Sequence, residues 1–519
     1  MILSMETILE MTVLLLQMRL LSLKSYLDQP ASSPLLSDHG DSNLEKGKQN
    51  NGIPIDDGSE SSQSSLISQV MEAIKNILII AFPIIIAGIL IYGKSAISIH
   101  FLGKISKEAL AGGCLAIAMA NLSGYSLIYV LAIGMKYISL KAYRAQQWVV
   151  IGQTLQCTII ILILACIPIS ILWLNFKPIL CMFGQNPTIA SIVGTYLACS
   201  LPSLLFQSII NPLKIYMRIH NLTFPLMISS AASLVFHLLI NYVITHYFGL
   251  RIQGIALAGA LTDLYLLITL LIFLRIPRAC SECWQGWSIQ CFRLWKPILS
   301  KAVLSLPSVF PKWWWWYELV MILLGILTSN VNAIATFGII IQATSFAYNF
   351  SIALSRAIST KIGDDLMANR PSKAKASSYA AQFCALFTCI VTMLFMVSVR
   401  NIWGHIFTQD KAILYLVAVA LPVAGICEMG NCLQTTISGI LRGSARSHLA
   451  ARLNWVSFYC VALPIYVLMG YGLGLGLLGF ILGLWVAQQV CGIVIVILLA
   501  RTDWKVQASR VQVLASGIM

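Results

Sequence analysis

Charge is what this chain has least of. Asp, Glu, Lys and Arg make up 10% of its 519 residues, against about 25% in a soluble globular protein. With 58% hydrophobic residues and a mean hydropathy of +0.83, the polar surface that a soluble fold of this length needs is missing. A soluble enzyme is excluded, and a polytopic membrane protein remains. Acid is scarcer than base: 19 Asp and Glu stand against 34 Lys and Arg, a net charge of +15. That excess does not call for nucleic acid. Basic loops on the cytoplasmic side, facing anionic lipid, account for it. Reactive motifs are missing too. There is no Gly-x-Ser-x-Gly, no His-Glu-x-x-His and no phosphate loop, so hydrolase chemistry and ATP-driven pumping lose their usual signatures.

Cysteine is present but unorganised. The 14 cysteines are scattered, and most lie inside apolar runs, as Cys157, Cys166, Cys384 and Cys491 do. They read as small core residues rather than a disulfide framework. Cys280-x-x-Cys283 with Cys291 lacks a fourth ligand, and the 7 histidines never fall at His-x-x-x-His spacing. No metal and no cofactor are expected.

What is there is a series of apolar stretches of spanning length. Residues 1–65 are expected to form a disordered cytosolic tail, polar and without aromatics from Gln29 to Ser65. Its first 27 residues are too broken by Gln17 and Arg19 for a signal peptide; an upstream gene-model extension and a functional segment both fit them. The pattern predicts twelve helices, near 73–98, 109–135, 152–174, 188–212, 222–247, 252–274, 299–328, 333–358, 376–399, 411–438, 449–470 and 474–500. Residues 66–275 hold the first six and 299–502 the last six. Between them, 276–298 reads as a cytosolic amphipathic linker, and 503–519 as a cytosolic tail. One set of loops carries 21 Lys and Arg and the other 6, so the richer side, with both termini, is predicted to be cytosolic.

The two halves repeat. Ile215-Tyr-Met-Arg218 answers Gly439-Ile-Leu-Arg442, Gly259 answers Gly483, and Pro83 answers Pro307. The offset is 224 residues (442 − 218). Six helices separate the copies, so the halves run in the same sense. Such parallel repeats form two lobes with a solute site between them near the bilayer midplane.

Intramembrane acids are costly and usually functional. Glu318 follows the aromatic run Trp313 to Tyr317 in an otherwise apolar stretch, and Glu428 lies in the tenth helix. Asp263 is a third such acid, on the sixth helix. Polar residues that fit a cavity wall accompany the first two: Tyr317, Gln342, Tyr348 and Asn349, then Asn431, Gln434 and Thr435. Four consecutive tryptophans cover about 300° of a helix, so one or two of them, Trp316 foremost, are candidates to face a solute; packing and insulation suit the others.

Several segments together resemble one family. They are Phe101-Leu-Gly103, Glu108-Ala-Leu-Ala-Gly-Gly113, the Trp313 to Glu318 run, Ser359-Thr-Lys-Ile-Gly363, and Cys427-Glu-Met-Gly-Asn-Cys432 with Gly439-Ile-Leu-Arg-Gly443. These resemble the plant branch of the MATE (multidrug and toxic compound extrusion) transporters, the DETOXIFICATION proteins, from about Ser68 to Trp504. The resemblance implies an all-α membrane fold of twelve helices in two six-helix lobes. It implies antiport of organic solutes, xenobiotics or secondary metabolites, by alternating access in exchange for H⁺, with Na⁺ as the lesser alternative. It assigns Glu318 and Glu428 to proton coupling. Two acids among aromatics lean toward a cationic or neutral aromatic solute, carried by a monomer in the plasma membrane, the vacuolar membrane or another endomembrane. Membrane lipid is the other expected partner.

One segment departs from the family pattern. After the second helix, Gly134-Met-Lys-Tyr-Ile-Ser-Leu-Lys-Ala-Tyr-Arg-Ala145 replaces a segment in which the family has Glu, Pro, two Gly and Gln. Lys136, Leu140, Lys141 and Arg144 stand where Glu, Gly, Gln and Gly are expected. Glycines there allow close backbone approach or positive φ, so Leu140 and Arg144 are expected to bring strain or repacking at a cytoplasmic hinge. A degenerate, non-transporting membrane scaffold or regulator is the competing reading.

Overall fold

Polar caps punctuate the apolar sequence into helices, and they do so at the repeat spacing. The computed structural model describes residues 60–220, 222–275, 286, 288–309, 313–328, 330–473 and 476–516. Ser106 Oγ accepts the Ala109 N–H at 3.0 Å, and Asn330 Oδ1 accepts those of Asn332 and Ala333 at 3.0 and 3.3 Å. Asn186 and Asp410 do the same for Thr188 and Ala412, each at 2.9 Å. Each such cap stabilises its helix by about 1 kcal/mol. Both pairs of caps are 224 residues apart (330 − 106 and 410 − 186).

Among the described residues, the helices number twelve of spanning type. They are α1 (Glu60–Ile105), α2 (Lys107–Arg144), α3 (Trp148–Leu174), and α4, made of Pro187–Cys199 and Leu201–Ile219 bent by 48°. Then come α5 (Thr223–Tyr247), α6 (Ile252–Arg275), and α7 in two pieces, Trp295–Val309 and Trp313–Thr328. The second lobe continues with α8 (Val331–Met367), α9 (Pro371–Val399), α10 (Lys411–Gly443), α11 (from Ser447–Trp455 to Leu468–Gly472) and α12 (Gly476–Ala500). Nine are long and apolar enough to cross a membrane unbroken, ten with the bent α4. The other two are α7, described as Trp295–Val309 and Trp313–Thr328, and α11, whose helix loosens into π turns at Val456–Ala462 and Leu468–Gly472.

Observed helices fall on all twelve expected stretches and extend most of them; the expected positions 310–312 and 474–475 lie outside the described residues. Residues 1–59, most of the expected tail, lie outside the described residues, as do linker positions 276–285. The expected C-terminal tail is instead a helix over most of its length, α13 (Trp504–Ser516), which buries Ala508 and Val511 against α8 and α9.

The lobes are stitched by their first helices. The first half of α1 buries Ala73, Ile77 and Ala81 among Leu354, Ile358 and Ala381 of α8 and α9. The first half of α7 returns the favour: Ile298 packs with Cys157 and Ile161 of α3, and its carbonyl occupies the space beside Gly134 of α2. At the membrane face away from the described termini, the lobes also meet directly. His100 bonds the Ile406 carbonyl. Cys114 fills the space left by the missing Cβ of Gly338. These two residues are themselves repeat mates (338 − 114 = 224), so the pseudo-two-fold axis runs between them.

The hinge expectation is corrected. α2 stays helical through Arg144. Lys136, Tyr137, Leu140, Lys141 and Arg144 are all exposed along it, so the larger side chains have room and the predicted strain is absent there. The left-handed residue of this turn is Gln146, with φ 54°, and its counterpart after α8 is Asn369, also φ 54°.

Candidate functional site

The two C-lobe acids sit on neighbouring helices but look in different directions. Glu428 is fully buried. Tyr317 donates its hydroxyl to Glu428 Oε1 at 3.3 Å, and Asn431, one turn on along α10, donates to Oε2 at 2.8 Å. Thr435 donates to Asn431 Oδ1 at 3.2 Å. So Tyr317, Glu428, Asn431 and Thr435 form one chain of hydrogen bonds inside the C lobe.

Glu318 comes next to Tyr317 in sequence and therefore points about 100° away around α7. It leaves the C lobe and accepts a hydrogen bond from Asn121 Nδ2, on α2 of the N lobe, at 2.6 Å. Asn121 opens a π turn, Asn121–Tyr125, in the middle of α2. Such turns are frequent at functional sites because they re-aim side chains and free carbonyls. Here Ser123 accepts the Trp173 indole N–H at 3.0 Å. No hydrogen bond joins Glu318 to Glu428 among the described residues, so the two acids belong to separate hydrogen-bond networks linked through α7.

The other candidates are dispersed. Gln342 is buried, and its Oε1 finds no protein partner. Gln434 turns to Asn454 at 2.8 Å. Asn349 bonds its own helix at Ser345 O, 2.9 Å, and packs against Gly88 of α1. Tyr348 is half-buried and within electrostatic reach of Glu428, Arg356 and Arg442. The side chain of Trp316 lies outside the described residues.

Asp263 belongs to a second polar cluster, in the N lobe. It forms an ion pair with Lys94 of α1 and accepts a hydrogen bond from Ser203 of α4, which in turn receives the Tyr125 hydroxyl at 3.0 Å. Beside it, buried His237 shares hydrogen bonds with Ser98 at 3.0 Å and Thr262 at 2.8 Å. Sequence reasoning passed over Lys94, Asn121 and His237. Lys94 was in view as a lysine inside an apolar run, but it was not weighed because cations were counted by loop. Asn121 had no marker, since only the fold brings it to Glu318.

The comparisons place this architecture. The MatE family profile matches residues 83–243 and 313–468, one segment in each lobe.

The chain belongs to the MATE family.

Among its relatives, Protein DETOXIFICATION 49 of Arabidopsis thaliana is 40% identical over 446 residues, covering 86% of this chain and 88% of the relative. Protein DETOXIFICATION 51 of the same plant is 38% identical over 455 residues, 88% and 85% of the two chains. The fold is that of the eukaryotic MATE transporter AtDTX14, with a TM-score of 0.71 at 24% identity over 87% of this chain and 100% of that one. As a MATE protein it is an integral, multi-pass membrane transporter of the detoxification type and not an enzyme. In MATE terms, both family segments contribute to the seam: α2 brings Asn121 and α7 brings Glu318.

Proposed function

We propose that this MATE protein is a proton-coupled antiporter that exports organic solutes by alternating access, with Glu318 and Glu428 as the proton-carrying groups. The observation that carries the reading is the company these acids keep. Among the described residues, the donors that hydrogen-bond them, Asn121, Tyr317 and Asn431, are neutral. Among the described residues, the ion pairs are Lys94–Asp263 and Lys361–Asp365, and neither involves these two acids. Without a fixed cation, each proton gained or lost is a net change of charge at the site. A charge change at Glu318 acts on a hydrogen bond that spans the lobes, so protonation biases one arrangement of the lobes over another. Glu428, enclosed with Tyr317 on the same helix as Glu318, lets both acids act on α7. Protons fit this better than Na⁺, which asks for several oxygen ligands in one place.

The membrane face carrying the termini is proposed to be cytosolic, from the excess of Lys and Arg there, in a plasma-membrane, vacuolar or endomembrane location. No cofactor and no protein partner are required, and a monomer suffices. The test is solute exchange in proteoliposomes under an imposed pH gradient, across cationic, neutral and anionic aromatic solutes. Wild type should show gradient-dependent flux, and Glu428→Gln and Glu318→Gln should each lose 100-fold or more of it. Normal proton-driven exchange in both variants would reject the mechanism. Absence of flux in well-inserted wild type would favour the scaffold reading.

A further inference from the structure

Arginine is what the transport reading leaves unused. Arg218 lies in the last turn of α4 and Arg442 in the last turn of α10, repeat mates at 224 residues (442 − 218). Arg356 of α8 is within electrostatic reach of both. A residue that reaches two symmetry mates, one in each lobe, stands close to the pseudo-two-fold axis. Arg356 has no mate of its own kind: the equivalent position in α2 is Ala132 (356 − 224). All three arginines are exposed. Lys214, one turn before Arg218 on the same face of α4, lies within reach of Arg218, Lys94 and Asp263.

Like charges gathered this way repel one another, and the fold does not neutralise them. None of the three arginines takes part in an ion pair among the described residues. Arg442 donates to Ser355 Oγ at 2.5 Å, a neutral partner. Basic pockets between helices on the cytoplasmic side also bind lipid headgroups, and the phosphatidylglycerol arm of the test below separates that source. Here one arginine comes from the N lobe and two from the C lobe, and they converge at the seam. Guanidinium groups match carboxylate, sulfate and phosphate oxygens with paired hydrogen bonds. Tyr348, two turns before Arg356 on α8, lies within electrostatic reach of Arg356, Arg442 and Glu428, so it is near both the cations and the buried acid.

We propose that Arg218, Arg356 and Arg442 form the site for an anionic group of the transported solute, with Tyr348 beside it for an aromatic body. The proposal deepens the transport reading and rests on it for the term solute. It departs from the cationic or neutral aromatic solute expected from the sequence, where the arginines were assigned to lipid. The mechanism also gains a link, since Tyr348 connects the anion site to the acid proposed to carry the proton.

Binding tests this without a gradient, so a failure of proton coupling leaves the result standing. The full-length protein in phosphatidylcholine nanodiscs is titrated with fluorescein, a dianion at pH 7.4, and with ethidium, a cation, by fluorescence anisotropy. Fluorescein should bind saturably. Arg356→Gln should weaken it at least tenfold and Arg356→Lys less, with ethidium affinity not reduced in either. Unfolding is checked by the melting temperature, and the charge-keeping Arg356→Lys provides a folded comparison if Arg356→Gln melts early. Fluorescein binding equal in wild type, Arg356→Gln and Arg218→Gln would overturn the proposal. So would complete loss of wild-type fluorescein binding when phosphatidylglycerol is added to the discs, which would mark a headgroup site.

Discussion

Lys94 of α1 and Glu318 of α7 stand 224 residues apart (318 − 94), the offset that relates the two lobes. One backbone position therefore carries a cation in the N lobe and an acid in the C lobe. Their surroundings differ in the same sense. Lys94 is paired within its own lobe to Asp263, so the two charges of that pair offset each other. Among the described residues, Glu318 forms no ion pair, and it reaches across the seam to a neutral Asn121. The N-lobe acid carries a tethered cation that no proton has to supply, whereas the C-lobe acids leave that place to be filled. Pseudo-symmetry of the fold thus does not extend to the chemistry. A repeated scaffold can hold an ion pair at one copy of a position and an acid bonded by a neutral donor at the other.

The largest effect that would break this comparison comes from removing the tethered cation. Lys94→Met leaves the Asp263 carboxylate, whose side chain is 3% exposed, without its partner. Breaking a buried pair typically costs 3–5 kcal/mol. The Lys94 side chain is itself 32% exposed, which discounts the loss to about 2–3 kcal/mol. The melting temperature in detergent should fall by several degrees. Adding Asp263→Asn should recover most of the loss. If Lys94→Met melts like wild type, the N-lobe pair is not the balanced unit described here.

A smaller effect is expected at the seam. Asn121→Ala deletes the hydrogen bond to Glu318, and a bond of this kind to a charged group is worth about 1.5–3 kcal/mol. Because Asn121 and Glu318 belong to different lobes, the loss should appear in exchange more than in melting. The expected result is a roughly tenfold slower flux with a displaced pH profile, while Asn121→Asp, which can donate only when protonated, should make the profile steeper. A profile identical to wild type in both variants would show that Glu318 works without its N-lobe partner.

How far the sequence reaches can be judged on these same residues. The twelve helices were legible because hydropathy and cap residues are local, and the 224-residue repeat could be read from a few matched positions. Glu318 and Glu428 stood out because an acid in an apolar run is costly wherever it ends up. What could not be read was direction. Adjacent residues on a helix point about 100° apart, so Tyr317 turns inward to Glu428 and Glu318 outward to Asn121. No pattern in the chain told which way either would face. Lys94 was readable by the rule that exposed the acids, and the repeat would have set it against Glu318. The π turn at Asn121–Tyr125 left no composition signal.

The smallest effect concerns the cytoplasmic end of α2, where sequence and structure disagree. The family pattern marks Lys136, Leu140, Lys141 and Arg144 as damage, and lost glycines there should strain the turn. Yet α2 is helical through all four positions, every one of these side chains is exposed, and the left-handed residue falls beyond them at Gln146. Helix interiors favour Leu, Lys and Arg over Gly by about 1 kcal/mol each. Restoring Gly at 140 and 144 would therefore loosen the helix rather than relieve it. The variant Lys136→Glu, Leu140→Gly, Lys141→Gln, Arg144→Gly should melt slightly lower than wild type and exchange solute within about twofold of it. A several-fold gain in flux would mean that the hinge limits the cycle. The difference between the lobes would then lie in how far each can bend, as well as in which charge it holds.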